Sequence, residues 1–195
     1  MALLAEELVE EWLNRAGFFT MRGVRIGVHE MDLLAIRPSA NGLECRHIEV
    51  QASVNPVSYL FRLTRADQEA TGRAATSSGT RSEEQISRGA DEWVHKKFEH
   101  PQKLKLLSSL APGPWSREVV LHRLRHPEEL AFLKAKKVII HRLSDVVEEL
   151  SRPGSKVARA SGGDFLDLVL LGSKGHSAEL ESETYPEWFN SGPGE

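Results

Sequence analysis

Cysteine is almost missing from this chain. The one thiol, Cys45, excludes an internal disulfide and any zinc cage built from cysteines. Long apolar runs are missing too, and no stretch approaches the ~20 residues needed to span a bilayer. The N-terminal residues meet Glu6, Glu7, Glu10 and Glu11 almost at once. They lack the basic start and apolar run of a signal peptide, so a cytoplasmic protein is expected. An overall basic charge is lacking as well. The net charge is −3, so any affinity for nucleic acid has to come from local patches. There is no Gly-rich phosphate loop, no nucleophile elbow, and no histidine pair at ligand spacing on one predicted helix.

What is present is ordinary for a globular chain of 195 residues, 40% hydrophobic and 27% charged. Basic residues concentrate between 117 and 142: Arg117, Arg123, Arg125, Lys134, Lys136, Lys137 and Arg142. His122, His126 and His141 lie among them, and the acids there are Glu118, Glu128 and Glu129.

The apolar spacing predicts an amphipathic helix over 2–16, with Leu4, Leu8, Val9, Trp12, Leu13 and Ala16 on one stripe and Gly17 ending it. Strands are predicted at 18–26, with a bulge or bend at Gly23, at 31–37 and at 43–52. Asn41-Gly42 marks a hairpin between the last two. The small polar stretch 71–82 reads as a mobile loop. Ser82 and Gln85 have capping-box spacing and open a helix whose inner stripe is Ile86, Ala90, Trp93, Val94 and Phe98. A second helical piece starts at Pro101 with Leu104, Leu107 and Leu110 inward. Strand 117–124, helix 127–136, strand 137–141 and helix 144–151 follow, then an apolar helix at 164–171. The expected fold is one α/β domain over 1–172, a mixed sheet flanked by helices, with a frayed extension at 173–195.

One pattern stands out. His29-Glu30-Met31-Asp32-Leu33-Leu34-Ala35-Ile36 places an acid at the head of an apolar strand. Ile48-Glu49-Val50-Gln51 places another near the end of the next. Glu49 and Gln51, two apart, share a face. Two carboxylates from neighbouring strands could share a hard divalent cation through oxygen ligands. Read singly, Asp32 is also a solvated strand end and Glu49 an outward-facing strand residue.

Taken with Glu6 and Gly17-Phe18, these motifs resemble the core of the PD-(D/E)xK nuclease superfamily, the restriction-endonuclease-like and Holliday-junction-resolvase-like group. The resemblance covers 1–52 by motif order and 83–124 by element order. It implies a restriction-endonuclease-like sheet in αβββαβ order, with a core of 1–52 and 83–142, and a metal-dependent DNA endonuclease using Mg²⁺ or Mn²⁺. Asp32, Glu49 and the Val50 carbonyl become the metal ligands. Helix geometry leaves both Glu6 and Glu11 bordering the apolar stripe; the resemblance, through the distance to Gly17, makes Glu6 the acid of the first helix, and Glu30 matches an accessory acid. Gln51 stands where the family usually has lysine, and would position the attacking water. The alternative is a module of the same fold that binds nucleic acid or a partner protein and no longer cleaves. Arg22, Arg25, Arg117, Arg123 and Arg125 are the candidates for DNA contact. A homodimer, or a partner subunit supplying specificity, is compatible with the chain; a membrane is not expected.

Overall fold

A computed structural model describes residues 2–40, 42–52 and 58–152, apart from the side chains of residues 2 and 3. The expected 164–171 helix and the 173–195 extension lie outside the described residues. Helix α1 (Ala2–Arg15) leads into β1 (Phe19–Ile26), β2 (His29–Ser39) and β3 (Gly42–Gln51). The chain then makes α2 (Arg65–Thr71), α3 (Glu83–Val94) and α4 (Pro101–Leu110). It returns through β4 (Trp115–Leu121), α5 (Glu129–Ala135), β5 (Ile139–Arg142) and α6 (Leu143–Leu150). The five strands form one mixed sheet in the order β1-β2-β3-β4-β5. β1, β2 and β3 are antiparallel neighbours; β3, β4 and β5 are parallel. The expected α/β architecture, a mixed sheet flanked by helices, is therefore what the chain adopts. No helix of the described residues is long and apolar enough to cross a membrane.

Side-chain alternation divides the core. Leu33, Ala35, Ile48, Val50 and Val120 face α1 and α6, where Leu8, Val9, Leu13, Val146 and Leu150 meet them. Val119 and Leu121 face the other way, against Ile86, Ala90, Val94, Phe98 and Leu133. Each such large side chain contributes roughly 1.5–3 kcal/mol by leaving water. The capping box at Ser82 and Gln85 is formed as expected.

The helical stripes differ from expectation in two places. Leu4 is exposed, and Ala5 takes its place in the core. In α4, Leu104 and Leu110 are exposed while Lys103 and Leu107, four apart, turn inward. The helix is rolled so that Lys103 turns inward beside Leu107, which packs on Met31 and Leu34 of β2. Helix α2 had no counterpart in the predicted elements. Thr64 caps it by accepting from the Asp67 amide at 3.2 Å, and Asp67 ties it to Arg88 of α3 at 2.5 Å.

The 71–82 stretch is threaded round two arginines. Arg73 donates to the carbonyls of Gly79 and Thr80, and buried Arg81 donates to those of Phe61 and Ser77. The Leu60 and Phe61 amides donate to the fully buried Glu129 carboxylate at 2.8 and 3.1 Å. Segment 60–63 is thereby held from both sides.

Candidate active site

The β2–β3 ladder stops at Leu33 and Ile48, but β3 runs on to Gln51 beside β4. The strands fork there, and the next facing positions are Asp32 and Glu49. The free Val50 amide, past the end of the ladder, donates to Asp32 Oδ2 at 2.8 Å. On the other side, Gly23 lies opposite Asp32 at the one lapse in the β1–β2 pairing, with φ of 62°. The register is unbroken, so the expected irregularity at Gly23 is a left-handed kink rather than an inserted residue.

Asp32 and Glu49 are not equivalent. Burial, then the charge of Glu49, push the Asp32 carboxyl up to about 7; Lys97 and the Val50 amide oppose this less strongly. Burial would raise Glu49 also. It is outweighed by a hydrogen bond from His47 and by Lys97 and Lys103, which hold Glu49 down at about 2.

Those partners are the main finding at the site. Glu49 is fully buried. His47 Nε2 lies 3.2 Å from its Oε1, and burial lowers the His47 pKa, so the ring acts as a neutral donor. Lys97 donates to Glu49 Oε2. Lys103, almost fully buried, donates to the Lys97 carbonyl at 2.8 Å and stands 3.4 Å from Glu49 Oε1. Lys97 comes from a single π-helical turn, His95–Glu99, that extends α3. Such turns widen a helix locally and recur at functional sites.

Sequence reasoning missed both lysines. A signal for Lys97 existed: it lies four residues after Trp93, beside the buried stripe of α3. Lys103 gave none, since a lysine in a Leu-rich helix reads as solvent-facing.

The other candidates separate. Glu6 is partly buried; burial raises its pKa, Arg22 opposes this, Glu30 and Glu49 add to it and Lys97 lowers it. It lies within electrostatic reach, at the rim. Glu30 is exposed and paired with Arg25 at 3.3 Å. Arg22 is paired with Glu7 and Glu10, and Arg117 with Glu99. Arg123 and Arg125 are exposed on the loop after β4. That loop leaves the sheet where Leu121 pairs with Gln51, at the fork end. Arg22 and Arg25 flank the Asp32 position on β1 but are already paired with acids, Arg117 lies further back opposite His47, and Arg123 and Arg125 extend the fork end of the sheet.

Gln51 opens onto a cleft of about 300 Å³ lined also by Leu60, Arg62, Gly89, Glu92, Trp93, Lys96 and Lys97. Among the described residues, no group of three or more His, Cys, Asp or Glu side chains is placed to hold a metal ion. Among the described residues, the carboxylates facing each other at the fork are Asp32 and Glu49. The chain matches no family model, and no curated protein or solved structure is detectably similar to it.

Proposed function

We propose that the chain is a Mg²⁺- or Mn²⁺-dependent DNA endonuclease on a restriction-endonuclease-like fold, with Asp32, Glu49 and Lys97 as its central residues. The observation that carries this reading is the position of Lys97. Its ammonium meets Glu49 and feels the charge of Asp32. The acid–acid–lysine set that the strand motif lacks at Gln51 is completed from α3.

The donor set fits a hard divalent ion. Glu49 raises the pKa of the neighbouring Asp32, and a cation shared between the two carboxylates would relieve that repulsion. Asp32, Glu49 and the Val50 carbonyl would hold it, with Glu6 further out. Bound there, the ion would supply positive charge to the scissile phosphate and acidify a water. The chain's own groups do the rest. Lys97 offers positive charge to the phosphate as negative charge develops on it. Gln51, on the same face as Glu49, can accept from and donate to the attacking water. His47 and Lys103 hold Glu49 in place.

Relaxed plasmid is the expected product when the full chain is incubated with supercoiled DNA and Mg²⁺ or Mn²⁺, with none in EDTA. A calorimetric titration should show saturable divalent binding. The second reading, a module that binds without cleaving, is favoured by one observation: His47, Lys97 and Lys103 already satisfy Glu49 without a metal. Absence of both nicking and divalent binding would remove the first reading and leave the second.

Lys97→Ala is expected to slow nicking by roughly 10²-fold, the order for one removed charge-stabilising donor. Restoring a lysine on the strand, Lys97→Ala with Gln51→Lys, should recover part of the loss. An unchanged rate in Lys97→Ala would remove Lys97 from the reaction.

A further inference from the structure

The cleft beside Gln51 has a character that the carboxylate site does not explain. Trp93 forms part of its wall, and its ring is fixed by edge-to-face contacts with Phe61 at 6.0 Å and Phe98 at 5.7 Å. Arg62 and Lys96 also line it, both exposed, and neither is in an ion pair among the described residues. That contrasts with Arg22, Arg25, Arg37 and Arg46, each matched to an acid. Glu92 is the one acid in the lining.

The cleft is built rather than incidental. Segment 60–63 is fixed by Glu129 and Arg81, and it packs on α3 at Gly89. A Cβ at Gly89 would come within 2.7 Å of the Arg62 carbonyl. A larger residue there would force the two walls apart.

We propose that this cleft holds one unpaired nucleotide of a DNA strand, its base against Trp93 and its phosphates toward Arg62 and Lys96. Single-stranded or locally unpaired DNA is then the substrate class. This rests on the nuclease reading, because Gln51 and Lys97 belong to both places. At about 300 Å³ the cleft is at the small end of ligand sites. It has space for one base, but not for a base pair with its opposing backbone. An aromatic face beside unpaired cations is the arrangement by which single strands are bound without sequence preference. Glu92 adds an acceptor for a base amino group.

The test uses the full chain in EDTA, with anisotropy of four labelled probes: an oligothymidylate, an oligouridylate, a perfect duplex, and that duplex with a short unpaired stretch. The oligothymidylate and the interrupted duplex are expected to bind at least about tenfold tighter than the perfect duplex. Trp93→Ala should weaken single-strand binding by about tenfold, the order of one lost base–aromatic stack, with duplex binding unchanged. Lys96→Ala, at an exposed position, should weaken it and lower the salt slope by about one charge. If Trp93→Ala melts early, Lys96→Ala and Arg62→Ala decide the matter. Equal or tighter binding of the perfect duplex overturns the proposal, as does unchanged single-strand binding in the variants that fold. Tighter binding of oligouridylate overturns the assignment to DNA. Cleavage is read separately. Single-strand binding without divalent-dependent cleavage removes the nuclease reading and leaves the cleft standing. Full-rate cleavage of perfect duplex by Trp93→Ala removes the cleft and leaves the nuclease.

Discussion

Asp32→Asn is expected to abolish divalent-dependent cleavage while leaving the metal-free protein at least as stable as the parent. The amide keeps the shape of the carboxylate and can still accept from the Val50 amide, now 2.8 Å away. What it removes is charge. A divalent ion shared by Asp32 and Glu49 would supply several kcal/mol of transition-state stabilisation, so its loss is expected to slow cleavage by roughly 10³-fold or more. The stability side follows from the raised Asp32 pKa of about 7. A carboxyl raised in the folded state binds its proton more tightly there than in the unfolded chain. Its stabilising contribution is present below the ordinary carboxylate range and is lost as pH rises toward about 7. Thermal melts of the metal-free parent should therefore fall across that window, and those of Asp32→Asn should fall less. Mg²⁺ should restore the parent above that range and do little for the variant. Parallel pH profiles for the two proteins would refute the electrostatic account, and retained cleavage would refute the site.

Glu49→Ala is expected to damage the fold as well as the chemistry. Glu49 is the counter-charge of Lys103, whose side chain is only 2% exposed. Removing one member of a buried ion pair strands the other, at a typical cost of about 3–5 kcal/mol. For a chain of this size that lowers the melting temperature by about 10 °C. Lys97 adds little to the penalty, because its side chain is 23% exposed and can turn to water. The double variant Glu49→Ala with Lys103→Met should recover most of the loss, since an apolar side chain of similar length suits the same position. If Glu49→Ala melts with the parent, or the double variant fails to recover, Lys103 is not held by Glu49. Inactivity of Glu49→Ala alone is thus weaker evidence for a metal site than inactivity of Asp32→Asn.

The hairpin and its carboxylates were legible in the sequence because strand chemistry is local. Period-two alternation, a turn signal and an acid at each strand end fix which side chains share a face. The first helix, the capping box at Ser82 and the return through β4 and β5 were legible for the same reason. Helix α2 was not, because its cap at Thr64 is short and no apolar stripe follows it. The lysines of the site were not, because their role depends on tertiary placement. In α4 the leucine spacing suggests one inner face, but the attraction of Glu49 for Lys103 selects another. The arginines were over-read. On sequence they are free cations; in the fold Arg22, Arg25 and Arg117 are already matched to acids. Arg62 and Lys96, in no ion pair among the described residues, carried no motif.

The acidic and basic halves of the site belong to separable pieces of chain. Asp32 and Val50 are 18 residues apart within one hairpin, whereas Lys97 lies 48 residues beyond Glu49, inside the crossover that leads to β4. Transplanting the hairpin alone would carry the carboxylates without the cations. Remodelling α3 would retune the charge without disturbing the strand ladder. On the proposed reading, position 51 need not carry a positive charge. Its side chain, at the mouth of the cleft, is then the point where the carboxylate site and the cleft meet, and a polar substitution there would change both together.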